Sequence, residues 1–241
     1  MSEVPNSQNK IEKIRQIIKS KTWYGLDQET GAFNWQASLE NISSALNITP
    51  ENVRNAIVNA YTSDCLTKIP AISSEGEQIE IPLLEGLQKL KLRTIVWTVG
   101  DIAWQKEKFI RSTANSYVNE PDYFCSTTNK FLELREILNS LTDKPNTRGK
   151  RHVLIVDDKA GNIDAAMKFS QEYEDQGLIL HNYHLKLRDD KADASAFYRH
   201  VEKMKQDLGD SELTLILDFD GVIADSDSVL FGPACENLAR L

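Results

Sequence analysis

No apolar run in this 241-residue chain approaches the roughly 20 residues that a helix needs to cross a bilayer, so a membrane-spanning helix is not expected. The first ten residues, MSEVPNSQNK, lack the apolar stretch of a secretory signal and read as a short frayed tail, and a cytoplasmic location is expected. Cysteine is scarce as well. Cys65, Cys125 and Cys235 are odd in number and share no metal-ligand spacing, which argues against a disulfide framework and for free thiols in a reducing compartment. Basic residues are outnumbered, 28 Lys and Arg against 36 Asp and Glu, and a net charge of −8 disfavours a polyanion such as DNA as the main partner. A small phosphate ester held at one local positive spot is compatible with that balance. No internal repeat and no low-complexity tract is visible.

What is present suits a soluble α/β protein able to bury a sizeable core: 41% hydrophobic and 27% charged residues. Ile11, Ile14, Ile17 and Ile18 recur at helical spacing. A loop containing Gly25 and Gly31 separates this helix from a second one over Ser38 to Leu46, with Leu39, Ile42 and Leu46 inward and Asn47 at its end. Thr49 as cap and Pro50 in the first turn open a third, buried through Val53, Ile57 and Ala60. The Ser-, Glu- and Pro-containing stretch Ile69 to Ile81 reads as a loop and a boundary. Residues 1–80, completed by 226–241, are thus expected to form a small helical cap, and residues 81–225 an α/β core.

From Pro82 helices and strands alternate. Thr94 to Thr98 (TIVWT), His152 to Val156 (HVLIV) and Leu213 to Leu217 (LTLIL) are continuously apolar, the pattern of strands buried on both faces of a parallel sheet. Shorter strands are expected at Tyr123 to Cys125 and Leu178 to Leu180. The helices fall over 83–90, 104–117, 130–141, 163–169 and 191–208, with a loop over 144–151. Parallel strands end on one edge, where open α/β sheets bind ligands. That edge would gather Thr98, Asp157, Asp158, Asp218 and Asp220, and four carboxylates in one crevice call for a hard cation, most simply Mg²⁺.

The segment DFDGVIADS, Asp218 to Ser226, resembles the first signature of the haloacid dehalogenase (HAD) superfamily, a strand ending in D-x-D-G followed by a hydrophobic pair and D-S. Thr98, after PLLEGLQKLKLRTIVW, is similar to the hydroxyl residue of the second signature. Lys130 at the start of its helix resembles the family lysine, with Lys106 and Lys108 poorer matches because they precede the YFC strand. HVLIVDDKAGNIDAA resembles the paired-aspartate fourth signature, with Asp157, Asp158 and Asn162 in register.

The resemblance covers residues 82–226 and implies a HAD-like, Rossmann-type parallel sheet and a phosphatase. Asp218 would attack phosphorus, Asp220 would protonate the leaving alcohol and then deprotonate water, and Thr98, Val99, Gly100 and Lys130 would hold the phosphoryl group. Asp218, Asp220, Asp157 and Asp158 would bind Mg²⁺, the backbone of Asp220 facing the ion. Its D-x-D form favours phosphate over carbon–halogen chemistry. A small phosphorylated metabolite is the implied substrate, with a phosphomutase or a non-catalytic binding protein as alternatives.

In the family this signature normally opens the chain. Here it nearly closes it, which implies a circular permutation whose break lies in the cap. Strand 213–218 should then have parallel neighbours on both sides, and Phe231 to Leu241 should pack on the helices of residues 11–65 through Leu238 and Leu241. A receiver domain, which also gathers aspartates with a Thr and a Lys, fits the motif order less well. Ser38 to Ile57 resembles a helix-turn-helix, but its second helix offers only Arg54 to DNA, so nucleic acid is not the expected partner.

Overall fold

The computed structural model describes residues 4–20, 25, 34–127, 130–142, 150–185 and 192–241. Three helices come first: α1 (Val4–Lys19), α2 (Trp35–Leu46) and α3 (Pro50–Val58). The caps are those the residues dictate. Asn34 accepts a hydrogen bond from the amide of Ala37, Asn47 ends α2 in the left-handed region, and Thr49 caps α3 with Pro50 in its first turn. Helix α1 starts at Val4, so residues 4–10 are helical rather than frayed. The expected loop at Gly31, most of the one over 144–151 and residue 191 lie outside the described residues.

The stretch 69–81 is not a loop. Strands β1 (Lys68–Ile72) and β2 (Gln78–Pro82) pair antiparallel, with Ile69 opposite Ile81, and the Ser-Glu-Gly segment between them is the hairpin turn. Then follow α4 (Leu83–Lys89), β3 (Arg93–Val99), α5 (Ile102–Arg111), β4 (Tyr123–Ser126) and α6 (Lys130–Thr142). The chain continues through β5 (Arg151–Asp157), α7 (Ala160–Met167), α8 (Ser170–Glu174), β6 (Leu178–His184) and α9 (Ala192–Leu208). It ends with β7 (Glu212–Leu217), α10 (Ser226–Val229), a π-helical turn (Leu230–Ala234) and α11 (Cys235–Arg240).

Five strands form one parallel sheet in the order β4-β3-β7-β5-β6, so the last strand of the chain lies in the middle with a parallel neighbour on each side. Its sequence explains the position. A strand buried on both faces cannot alternate polar with apolar residues, and Leu213 to Leu217 are all buried. Leu215 and Leu217 face a core built with α1, α2, α3, α4 and α9, including Ile14, Leu39, Val53, Leu87 and Phe197. Ile216 faces a second core with Leu134, Ile137, Ile155, Ile163 and Tyr173 from β5, α6, α7 and α8. The fold is therefore α/β, a five-stranded parallel sheet with helices on both faces.

The C-terminal segment packs on the N-terminal helices. Helix α11 adjoins α1 and α3, Arg15 donates to the carbonyl of Phe231 (2.9 Å), and Asn237 donates to the carbonyl of Ala56 (3.0 Å). Leu238 is fully buried in this contact. Leu241, expected to share it, is instead 54% exposed, because helix α11 ends at Arg240 and the last side chain runs past the packed face. Arg54 of the expected helix-turn-helix forms an ion pair with Glu107 of α5.

Candidate functional site

At the carboxyl ends of β5 and β7, Asp157, Asp158 and Asp218 each bring a carboxylate oxygen within 4.8 Å of the others. The pairing of Val156 with Leu217 makes this unavoidable, since the next residue in each strand is an aspartate. One lysine serves two of the three. Lys130 Nζ donates to Asp157 Oδ2 (2.7 Å) and lies 2.8 Å from Asp218 Oδ1, and its side chain is 5% exposed. Trp97 of β3 fixes the lysine: its Nε1 donates to the Lys130 carbonyl (2.6 Å), and its ring lies 4.2 Å from the ammonium.

Asp157 has local partners as well. Oδ1 accepts from the amide of Lys159 (2.9 Å) and from Asn162 Nδ2 (3.0 Å), so the turn after β5 and the start of α7 lock this carboxylate. Asp218 Oδ1 accepts from the amide of Phe219 (2.9 Å). Burial drives the electrostatics of Asp218: loss of water pushes its carboxyl up, Lys130 pulls it back, and Asp157 pushes it up again, to about 7. Lys130 is lowered by burial, but the Asp218 and Asp157 carboxylates outweigh that and raise it. Three carboxylates thus crowd together while the Lys130 ammonium reaches two of them. Such a set of hard oxygen donors with surplus negative charge fits a hard divalent cation held by Asp157, Asp158 and Asp218.

Asp220 does not join this group with its side chain. Its carboxylate turns towards α5, where Lys108 Nζ donates to both oxygens (2.6 and 2.7 Å), Gln105 Nε2 donates to Oδ2 (3.1 Å), and Ser226 Oγ donates to Oδ1. Burial alone would raise its carboxyl; Lys108, Ser226 and Gln105 together hold it below the usual range. The reading of the Asp220 carboxylate as one of four crowded acids is therefore corrected. A second buried lysine neutralises it before a cation is needed.

The other expected residues stand along the end of β3. Thr98 is 1% exposed and lies opposite Cys125 of β4, one strand over from β7. Val99 accepts a hydrogen bond at its carbonyl from Gln105 (3.0 Å), the same amide group that reaches Asp220. The amide of Gly100 donates to the Ser126 carbonyl (2.8 Å), and its φ of 149° sets the turn into α5. Gln105 was missed by motif reading, and Lys108 was set aside there as a poorer match than Lys130. Their signal was periodicity: both lie on the buried stripe of α5 with Trp104 and Phe109, and two polar residues on an apolar stripe need a buried partner.

Gly221 completes the geometry. Its φ is +82°, and a Cβ there would lie 2.7 Å from both Cγ and Oδ2 of Asp158. The D-x-D-G turn thus needs glycine for its backbone and for the passage of a carboxylate. Gly221→Ala is expected to lower stability by about 1–2 kcal/mol through the left-handed backbone alone, and to displace Asp158 as well. Thermal melts and Mg²⁺ titration by calorimetry check this, with weakened cation binding as the expected result.

No family model, no curated protein and no solved structure matches this chain.

Proposed function

We propose that this protein is a Mg²⁺-dependent phosphomonoesterase of the HAD type, acting on a small phosphorylated metabolite through an aspartyl-phosphate. The observation that carries the reading is the meeting of Asp157, Asp158, Asp218 and Lys130 at the carboxyl end of the central strand. The D-x-D-G, Thr, Lys and paired-Asp motifs supply these residues and Thr98 from four separate stretches of chain. Mg²⁺ held by Asp157, Asp158 and Asp218 would offset the negative charge of the phosphoryl group.

Asp218 is the nucleophile. An oxygen of its carboxylate bonds to phosphorus as the ester P–O bond breaks, and water then attacks the same phosphorus and releases the aspartate. Lys130 reaches the charge that develops between Asp218 and the transferring group. Thr98 would donate its hydroxyl to a phosphoryl oxygen, and the Gly100 amide could join it only by releasing the Ser126 carbonyl. Asp220 handles the protons, giving one to the leaving alcohol and recovering one from water. Since the resting side chain is an ionised partner of Lys108, it must leave that lysine and take up a proton from solvent before it protonates the alcohol.

The chain order fits a circular permutation of the HAD arrangement. Support comes from β7 at the sheet centre and from α11 packed on α1 and α3. A panel of phosphate monoesters assayed for inorganic phosphate with and without Mg²⁺ tests the activity. Release on at least one ester that vanishes in excess chelator is expected. No release from the folded protein across sugar, nucleotide and carboxylic acid phosphates would overturn the proposal, and transfer to another hydroxyl of the substrate without release would identify a mutase.

A further inference from the structure

Two buried lysines serve this crevice, and motif reading accounts for one. Lys108 is 4% exposed, and its ammonium lies 5.8 Å from the ring centre of Tyr61, 5.7 Å from Trp104 and 5.6 Å from Phe219. The cage joins three parts of the chain. Tyr61 follows α3, Trp104 belongs to α5 and stacks on Trp35 of α2 at 3.8 Å, and Phe219 lies between the two signature aspartates. A lysine enclosed this way cannot wander, and an ammonium without water needs a carboxylate. Asp220 is that carboxylate, gripped through both oxygens.

We infer that Lys108 is the positioning residue of the crevice: it turns the Asp220 carboxylate away from the Asp157, Asp158 and Asp218 group and cancels its charge, thereby setting how tightly that group binds a divalent cation. Asp220 stands two residues beyond Asp218 in the same turn, so its charge lies close to the acidic group. Without Lys108 that charge adds to the attraction for a cation; without Asp220 the lysine repels it. Tyr61 and the Trp35–Trp104 stack wall the lysine, so the N-terminal helices reach the crevice at this side chain.

The inference rests on the reading of the crevice as a cation site, and the test separates the two. Mg²⁺ affinity is measured by calorimetry on the wild type and on Lys108→Met, Asp220→Asn and the double variant. Lys108→Met is expected to tighten Mg²⁺ about tenfold and Asp220→Asn to weaken it by about the same factor, the change expected for one unit charge at short range in a partly buried site. The double variant, with neither charge, should return to within about threefold of the wild type. If Lys108→Met does not fold, the Asp220→Asn and double variants carry the comparison, since the double variant buries no unpaired charge. Equal affinities in all folded variants would make Lys108 a purely structural partner and overturn the inference. Absence of Mg²⁺ binding by the wild type would overturn the cation reading itself, and the inference with it.

Discussion

Asp218→Asn is expected to abolish phosphate release, by a factor on the order of 10⁴ to 10⁶, while the protein stays folded and melts no lower than the wild type. The loss is large because an amide oxygen is too weak a nucleophile to form the phosphorylated intermediate, and no other carboxylate takes its place. Asp157 is held by Lys130, Lys159 and Asn162, and Asp220 faces Lys108. The fold is spared for a separate reason. Asp218 is a buried acid whose carboxyl is pushed up to about 7, so its charged form is one that the folded state disfavours. Asparagine keeps an oxygen for Lys130 and for the amide of Phe219, and removes one of three crowded charges. Full turnover in a folded Asp218→Asn variant would end the covalent mechanism, and loss of structure instead of turnover would show that the charge is needed for folding. Circular dichroism and thermal melts beside the phosphate assay separate these results.

The parts of the fold that were legible in the sequence are those where burial leaves no choice. Leu213 to Leu217, His152 to Val156 and Thr94 to Thr98 carry too many consecutive apolar residues for anything but two-sided burial, so their place in a parallel sheet follows from composition alone. The carboxyl edge follows in turn, because a residue just beyond such a strand has one place to go. The hairpin of β1 and β2 was hidden by the same rule in reverse. It packs one side only, through Ile69 and Ile81, while Ile72 and Ile79 remain exposed at 66% and 40%, and Pro70 sits among them. Short strands of this kind show no long apolar run, and the alternation in Gln78 to Ile81 is only four residues long. Asp220 was misplaced because motif spacing sets where a Cα goes, not which way its carboxylate turns. That direction is decided by Lys108, which is 112 residues away in sequence.

Lys130→Met should be the most destabilising single change in the crevice. Removing one partner of a buried ion pair leaves an uncompensated charge, at a typical cost of about 3–5 kcal/mol, and here one ammonium faces two carboxylates. For a domain of this size that corresponds to a fall in melting temperature of roughly 10 °C. The pH dependence has a definite sign. Asp218 titrates near 7 even with the lysine present, and loss of Lys130 raises it further. A group whose folded pKa lies above its unfolded value of about 3.9 gives a penalty that grows as pH rises through that interval and is absent below it. The variant should therefore trail the wild type more at pH 8 than at pH 5. Mg²⁺ should narrow the gap at pH 8 by restoring positive charge among the three aspartates, because any ligand of the folded state alone shifts the melt upward. Differential scanning calorimetry at the two pH values, with and without Mg²⁺, checks all three effects. A variant that melts with the wild type at both pH values would show that water or rearrangement, rather than Lys130, satisfies the acids, and would remove the lysine from the centre of the site.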